Sequence, residues 1–108
     1  MLEGTFTAIV TPFDRHGKLD LVRFRELIEF QIAGGVTGIV PVGTTGESPT
    51  LNVEEHTKVI DAAISISRKR LKIIAGTGAN STAEAIELTR HAKAAGADAT
   101  LQVTPYYN

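Results

Sequence analysis

Short apolar runs recur along the chain about thirty residues apart, which is the length of one βα unit. The runs are partly β-branched, and glycine or proline follows each of them closely. This pattern is typical of strands that are buried in a parallel sheet. The predicted strands are residues 5–10, 38–42, 71–75 and 100–103.

Between these runs, apolar residues return every three or four positions, as on one face of an α-helix. Asn52 and Ser81 each stand three residues before a glutamate, which is the pattern of a capping box at a helix start. Gly35 and Gly96 stand where helices commonly end. The pattern therefore predicts the order β-α-β-α-β-α-β within a single domain, residues 1–108.

Strands that alternate with helices imply an α/β protein with a parallel sheet and right-handed crossovers. Two architectures fit this order. One is a small doubly wound sheet, and the other is the first half of a (β/α)₈ barrel, which needs roughly 250 residues when complete. Periodicity does not separate them. A half barrel keeps two open sheet edges, so it would need a partner to cover them.

Polar turns follow the predicted strands at their carboxyl ends, where ligands collect in parallel α/β proteins. In the turn at residues 43–46, Gly-Thr-Thr-Gly, backbone N–H groups and hydroxyls can hold a carboxylate or a phosphate. Thr44 and Thr45 could hold such an anion and pass a proton, and the phenols of Tyr106 and Tyr107 could join that relay. An ordinary βα turn and an apolar tyrosine pair are the structural alternatives.

Composition excludes several classes of function. The 11 basic and 12 acidic residues nearly balance, which argues against a nucleic-acid-binding surface. The absence of cysteine excludes disulfides and thiolate chemistry. The N-terminal sequence is unlike a signal peptide, and no apolar run approaches the roughly 20 residues of a membrane helix, so we expect a cytoplasmic protein.

Metal and nucleotide sites are not expected either. The histidines lack the helical spacing of zinc ligands. The Gly-Thr-Gly at residues 76–78 is an incomplete dinucleotide motif, and neither glycine-rich loop carries the lysine of a phosphate-binding loop. No lysine follows the carboxyl end of a predicted strand, where a Schiff-base nucleophile would stand.

Four segments, AIVTPF, VGTTGES, IAGTGANST and VTPYYN, resemble in order and spacing the N-terminal part of the dihydrodipicolinate synthase family. Its members are (β/α)₈-barrel class I aldolases and lyases that bind pyruvate as a Schiff base. The resemblance implies the N-terminal half of a (β/α)₈ TIM barrel. It also implies a synthase that condenses pyruvate with L-aspartate 4-semialdehyde in lysine (diaminopimelate) biosynthesis, without a cofactor, as a cytoplasmic homotetramer.

The resemblance also assigns residues. Thr44 and Tyr107 match members of a catalytic proton relay, the tyrosine reaching across a dimer interface, and Thr45 matches the residue that binds the pyruvate carboxylate. Some members are inhibited by lysine in a cleft at that interface, and the residues that match its lining are Ser48, His56, Asn80, Glu84 and Tyr106. Val53 departs from lysine-sensitive relatives, so inhibition could be weak or absent.

The family's second relay tyrosine, substrate-binding arginine and Schiff-base lysine all lie beyond the fourth strand. We therefore expect the isolated chain to be inactive. The alternatives are an N-acetylneuraminate lyase or 2-keto-acid aldolase of the same superfamily, a non-catalytic half barrel that serves assembly, and a small doubly wound anion-binding domain.

Overall fold

The computed structural model describes residues 2–104, and its elements follow the predicted order. The strands are β1 (Phe6–Ala8), β2 (Gly38–Val40), β3 (Lys72–Gly76) and β4 (Ala99–Leu101). The helices are α1 (Leu21–Ala33), α2 (Val53–Ser67) and α3 (Thr82–Ala95), and one 3₁₀ turn spans Ser48–Thr50.

The strands pair in parallel in the order β1-β2-β3-β4, which matches their order along the chain. Right-handed crossovers between successive neighbours place all the helices on one face of the sheet. Accordingly, α2 packs against both α1 and α3. A doubly wound sheet reverses its strand order at a switch point, so the observed order favours the barrel-type architecture.

The core lies between the sheet and the helices. Ile39 and Ile73, which are opposite each other on β2 and β3, are 0% and 3% exposed and face the helix layer. Phe24 and Ile28 of α1 and Ile60 of α2 cover them and are at most 1% exposed. Each such side chain stabilises the fold by roughly 1.5–3 kcal/mol relative to an exposed one.

The opposite face of the sheet has no helix layer. Val10, Leu101 and Val103 are 51%, 48% and 42% exposed there. Successive strand residues alternate between the two faces, so the inward-facing set is apolar but lacks the facing strands that fill a closed barrel. The described part of the chain is therefore an open sheet, with one face covered by helices and the other face uncovered.

Helix α2 begins with the predicted capping box. The Asn52 side chain accepts from the Glu55 N–H at 2.8 Å, and the Glu55 carboxylate accepts from the Asn52 N–H at 3.2 Å. At α3, the Ser81 hydroxyl accepts from the Glu84 N–H at 3.3 Å, so the predicted cap forms there too. Asp20 caps α1 in the same way, and the helical periodicity did not predict it.

The helix ends are of two kinds. Gly35 and Gly96 have φ of 81° and 105°, as expected of C-terminal glycines. After α2, however, Arg68 and Lys69 take the left-handed conformation, with φ of 46° and 63°. Arg70 then donates to the carbonyls of Ile66 and Ser67 at the helix end. Within residues 2–104, no helix has the length and apolar character needed to cross a membrane.

Candidate functional site

The Gly-Thr-Thr-Gly segment forms a tight turn at the carboxyl edge of the sheet. The Gly46 N–H donates to the Gly43 carbonyl at 3.0 Å, which places Thr44 and Thr45 at the two central positions. Both threonines are exposed. Their N–H groups meet no acceptor within residues 2–104, so the turn presents two hydroxyls and two donors to a ligand.

The turn begins earlier than predicted, because β2 stops at Val40 and Val42 takes φ of 56°. This conformation is strained for a β-branched residue, yet Val42 is buried and only 1% exposed. Glycine is required on two sides of it. A Cβ on Gly46 would lie 2.9 Å from the Val42 nitrogen, and a Cβ on Gly76 would collide with the Val42 carbonyl.

A buried hydroxyl also reaches this turn. Thr11 lies just after β1, is 4% exposed, and donates to the Gly46 carbonyl at 2.6 Å. Sequence reasoning missed this contact, because the Thr-Pro pair at residues 11–12 was interpreted only as the end of a strand. The sequence feature that could have predicted this contact is a hydroxyl residue that directly follows a predicted buried strand at the ligand edge.

A cavity of about 300 Å³ adjoins the turn. Thr44 lines it, together with Val42, Leu101 and Val103, so its walls are largely apolar. Thr45 lies on the turn beside this cavity and is not among its lining residues. Tyr107 lies outside the described residues, so its approach to Thr44 stays a prediction.

A second cleft, of about 310 Å³, collects four of the residues predicted for the lysine cleft. The 3₁₀ turn, the first turn of α2, the loop after β3 and the first turn of α3 supply Ser48, His56, Asn80 and Glu84, respectively. These residues are up to 36 positions apart along the chain, so the fold brings them together. Tyr106, the fifth, lies outside the described residues.

The histidine of this cleft is 2% exposed, and its Nε2 lies 2.5 Å from the Gly76 carbonyl oxygen. A carbonyl only accepts, so Nε2 carries the hydrogen and Nδ1 of the neutral ring remains an acceptor. Burial lowers the pKa of His56, while the bond to Gly76 and the nearby Glu84 carboxylate oppose that shift. The neutral imidazole therefore links α2 to the end of β3.

A hydroxyl network fixes the loop after β3. Thr77 is fully buried, and its hydroxyl accepts from the Thr89 hydroxyl of α3 at 3.0 Å and from the Gln102 amide after β4. Gln102 also contacts Thr89 at 2.9 Å. Sequence reasoning noted Thr77 only within the incomplete Gly-Thr-Gly motif and did not predict these contacts, because long-range pairing of threonines leaves no local signal.

No strand ends in a lysine at this edge, although the exposed Lys18 lies in the loop between β1 and α1. Lys72 opens β3 at the opposite edge, 3.9 Å from the Asp98 carboxylate, and Lys18, Lys58, Lys69 and Lys93 lie on loops or helices. Within residues 2–104, the four strands therefore carry no lysine at their carboxyl ends. Within residues 2–104, no three metal-ligating side chains come together.

Comparison with known proteins is consistent with this architecture. The family model of the dihydrodipicolinate synthetase family matches residues 1–108. A 4-hydroxy-tetrahydrodipicolinate synthase from Geotalea daltonii is 59% identical over 108 residues. This alignment covers 100% of the chain and 37% of the relative, so the chain spans little more than a third of that relative's length.

Two solved structures superpose on the whole chain. The chloride-inhibited dihydrodipicolinate synthase from Acinetobacter baumannii, complexed with pyruvate, has a TM-score of 0.96 and 56% identity, and the match covers 37% of it. CdNal from Clostridium difficile, in complex with mannosamine, also has a TM-score of 0.96, at 30% identity and 38% coverage. The sheet and its helices thus form the N-terminal half of a TIM barrel, and the chain belongs to the dihydrodipicolinate synthetase family.

Proposed function

We propose that the chain forms the N-terminal part of a 4-hydroxy-tetrahydrodipicolinate synthase, which condenses pyruvate with L-aspartate 4-semialdehyde through a Schiff base in lysine biosynthesis. The observation that carries the proposal is the Thr44-Thr45 turn, whose N–H groups have no acceptor among residues 2–104 and lie beside a cavity. High identity to synthases over the whole chain supports it.

The turn suits the carboxylate of pyruvate. Two adjacent backbone N–H groups form an anion-binding concavity, and a threonine hydroxyl adds a third donor. Thr45 binds this carboxylate in our proposal, since its N–H and hydroxyl stand on the exposed corner of the turn. The keto group is then directed to the cavity that Thr44 lines.

Thr44 passes protons in the proposed reaction. A hydroxyl can donate one hydrogen bond while it accepts another, so it can connect the condensing substrates with a tyrosine phenol. Tyr107 supplies that phenol in the family's pattern and does so from a neighbouring subunit. We therefore also propose a homotetramer, a dimer of dimers, as the assembled form.

The second cleft suits a free amino acid such as lysine. The Glu84 carboxylate can pair with an ammonium group, and Asn80 and the Nδ1 atom of His56 can add hydrogen bonds. We propose that lysine binds there, weakly because of Val53. Titration calorimetry with lysine tests this. Glu84→Gln is expected to abolish binding. Glu87→Gln, on the exposed side of α3, is expected to preserve it.

The Schiff base in this proposal comes from the remaining part of the barrel, because the strands of this chain carry no lysine at their carboxyl ends. We therefore propose that the 108-residue chain is inactive alone. Among the superfamily alternatives, the identity of 56% to a synthase against 30% to CdNal favours the synthase.

The test uses a chimera in which residues 1–108 replace the matching segment of the Acinetobacter baumannii synthase. Pyruvate and borohydride are added to the chimera and to the isolated chain, and intact masses are measured. We expect a reduced pyruvate adduct on the chimera, none on the isolated chain, and condensation of both substrates by the chimera. A folded chimera that forms the adduct but condenses nothing would contradict the proposal, as would an adduct on a lysine of this chain.

Size-exclusion chromatography of the isolated chain addresses the assembly-unit alternative. The open sheet face predicts aggregation or self-association of the chain alone. A soluble monomer that unfolds cooperatively would instead favour a self-sufficient unit.

A further inference from the structure

We infer that Thr11 is a positioning residue for the ligand-binding turn, and that it acts through the Gly46 carbonyl. This inference rests on the proposed function of the turn. Thr11 is 4% exposed and its hydroxyl is engaged by the Gly46 carbonyl, so it acts through that carbonyl and not by touching a ligand. Its hydroxyl fixes where the two threonines of the turn stand.

The geometry of the contact supports this role. The Thr11 hydroxyl is buried and donates to Gly46 over 2.6 Å, a short bond across 35 positions of sequence. Within residues 2–104, it is the only side-chain hydrogen bond that reaches residues 43–46. The remaining restraints on the turn come from its own backbone and from the packing of Gly46 against Val42.

Backbone hydrogen bonds hold the carbonyl side of the turn, since Gly43 accepts from Gly46 and Ser48, and Thr44 accepts from Glu47. The donor side is less restrained. Thr44 and Thr45 are exposed, and their N–H groups have no acceptor within the described residues. Gly46 closes the turn, and Thr11 donates to its carbonyl, so the Thr11 hydroxyl restrains the turn from the side of β1. Loss of the Thr11 hydroxyl frees this carbonyl and loosens the donors that receive the carboxylate.

Thr7 offers a matched control on the same segment. Its hydroxyl donates to the Gln31 side chain of α1 at 3.0 Å, on the helix side of the sheet. A Thr7→Val substitution removes a hydroxyl and a long-range hydrogen bond from β1, as Thr11→Val does just beyond that strand. It leaves the turn at residues 43–46 untouched.

The experiment measures steady-state kinetics of the chimera with Thr11→Val, Thr11→Ser and Thr7→Val. We expect Thr11→Val to raise the KM for pyruvate about tenfold. Thr11→Ser, which keeps the hydroxyl, is expected to stay within about twofold of the unsubstituted chimera. Thr7→Val should leave this KM unchanged. A purely structural role of Thr11 would lower the amount of active protein, and hence the apparent kcat, without moving KM.

The outcomes separate the two proposals. An active chimera in which Thr11→Val leaves KM unchanged, or in which Thr11→Ser fails to restore it, overturns the positioning role alone. A folded but inactive unsubstituted chimera overturns the proposed function and this inference with it. If Thr11→Val prevents folding, Thr11→Ala at low temperature provides the same comparison of KM.

Discussion

The Nε2 atom of His56 and the carbonyl oxygen of Gly76 lie 2.5 Å apart, and both residues are buried. The bond joins the first turn of α2 to the carboxyl end of β3, between the cavity beside Thr44 and the cleft that contains Glu84. A neutral imidazole makes this hydrogen bond with its single N–H group. A second proton would place a charge in a buried position that disfavours it.

Stability is therefore expected to depend on pH through this histidine. Burial lowers the pKa of His56 in the folded chain, so the unfolded chain binds the proton first as the pH falls. The free energy of unfolding should decline as the pH drops below the unfolded value of about 6.5, and this decline should stop below the folded pKa. Urea unfolding at a series of pH values between 8 and 4 measures the slope.

His56→Gln tests whether this residue is the cause. Glutamine can still donate to the Gly76 carbonyl but does not titrate, so the slope near the histidine range should flatten. His16→Gln, at an exposed position, serves as the control and should keep the original slope. If the free energy of unfolding of His56→Gln depends on pH with the original slope, other groups cause the loss of stability at low pH.

Thr44→Val in the chimera addresses the proton relay. Valine keeps the shape and the backbone N–H but removes the hydroxyl, so kcat should fall by about 10²–10⁴-fold. The KM for pyruvate should change much less, because the carboxylate donors remain. Steady-state rates at saturating substrate give the comparison.

Thr57→Val is the matched control for this relay prediction. Among the described residues, its hydroxyl bonds only to the Glu54 carbonyl within α2, and its loss should leave kcat unaffected. Thr44→Ser should retain most of the activity, since it keeps the hydroxyl. If Thr44→Val turns over at the original rate, Thr44 carries no proton in the rate-limiting step.

The helices were the most predictable part of the fold, for a physical reason. α2 is specified locally, by apolar periodicity and by Asn52 and Glu55, which cap each other across one turn. The end of β2 is not specified locally. Val42 is β-branched and favours a strand, yet packing of Gly46 and Gly76 against it holds it at positive φ.

The candidate site likewise combines residues that the local sequence predicts with residues whose role depends on distant contacts. Thr44 and Thr45 stood out because they follow a strand between glycines, and the structure places them on an exposed turn. Thr11 carries the same side chain at a similar strand end, but burial turned it inward to Gly46. Sequence pattern does not distinguish an exposed threonine from a buried one, since burial depends on contacts with distant residues, here with a turn 35 positions away.

Gly76→Ala and Gly96→Ala separate crowding from backbone strain. A Cβ on Gly76 would collide with the Val42 carbonyl, whereas a Cβ on Gly96 would meet nothing within 4 Å but must take φ of 105°. We expect Gly76→Ala to lower the free energy of unfolding by about 3 kcal/mol or more, as overpacking does. Gly96→Ala should lower it by about 0.5–1 kcal/mol, which is the strain of the left-handed conformation less the entropy that alanine removes from the unfolded chain.

Urea unfolding followed by circular dichroism measures both glycine variants. Gly17→Ala, which also meets no neighbour at positive φ, is the control for strain and should resemble Gly96→Ala. Equal losses for Gly76→Ala and Gly96→Ala would contradict the close approach of β3 to the turn.

Arg68→Gly is expected to stabilise the chain, because Arg68 ends α2 in the left-handed conformation that glycine adopts freely. Relief of that strain, roughly 1–2 kcal/mol, exceeds the added entropy of the unfolded chain, roughly 0.4–1 kcal/mol. The net gain should therefore be about 0.5–1 kcal/mol in urea unfolding. Ser65→Gly, inside the same helix, should instead lose about 0.5 kcal/mol, the difference between the helix propensities of serine and glycine. Arg68→Ala keeps the Cβ, so its free energy of unfolding should not increase. An increase of equal size in Arg68→Ala would show that the arginine's charge, and not the backbone, is responsible.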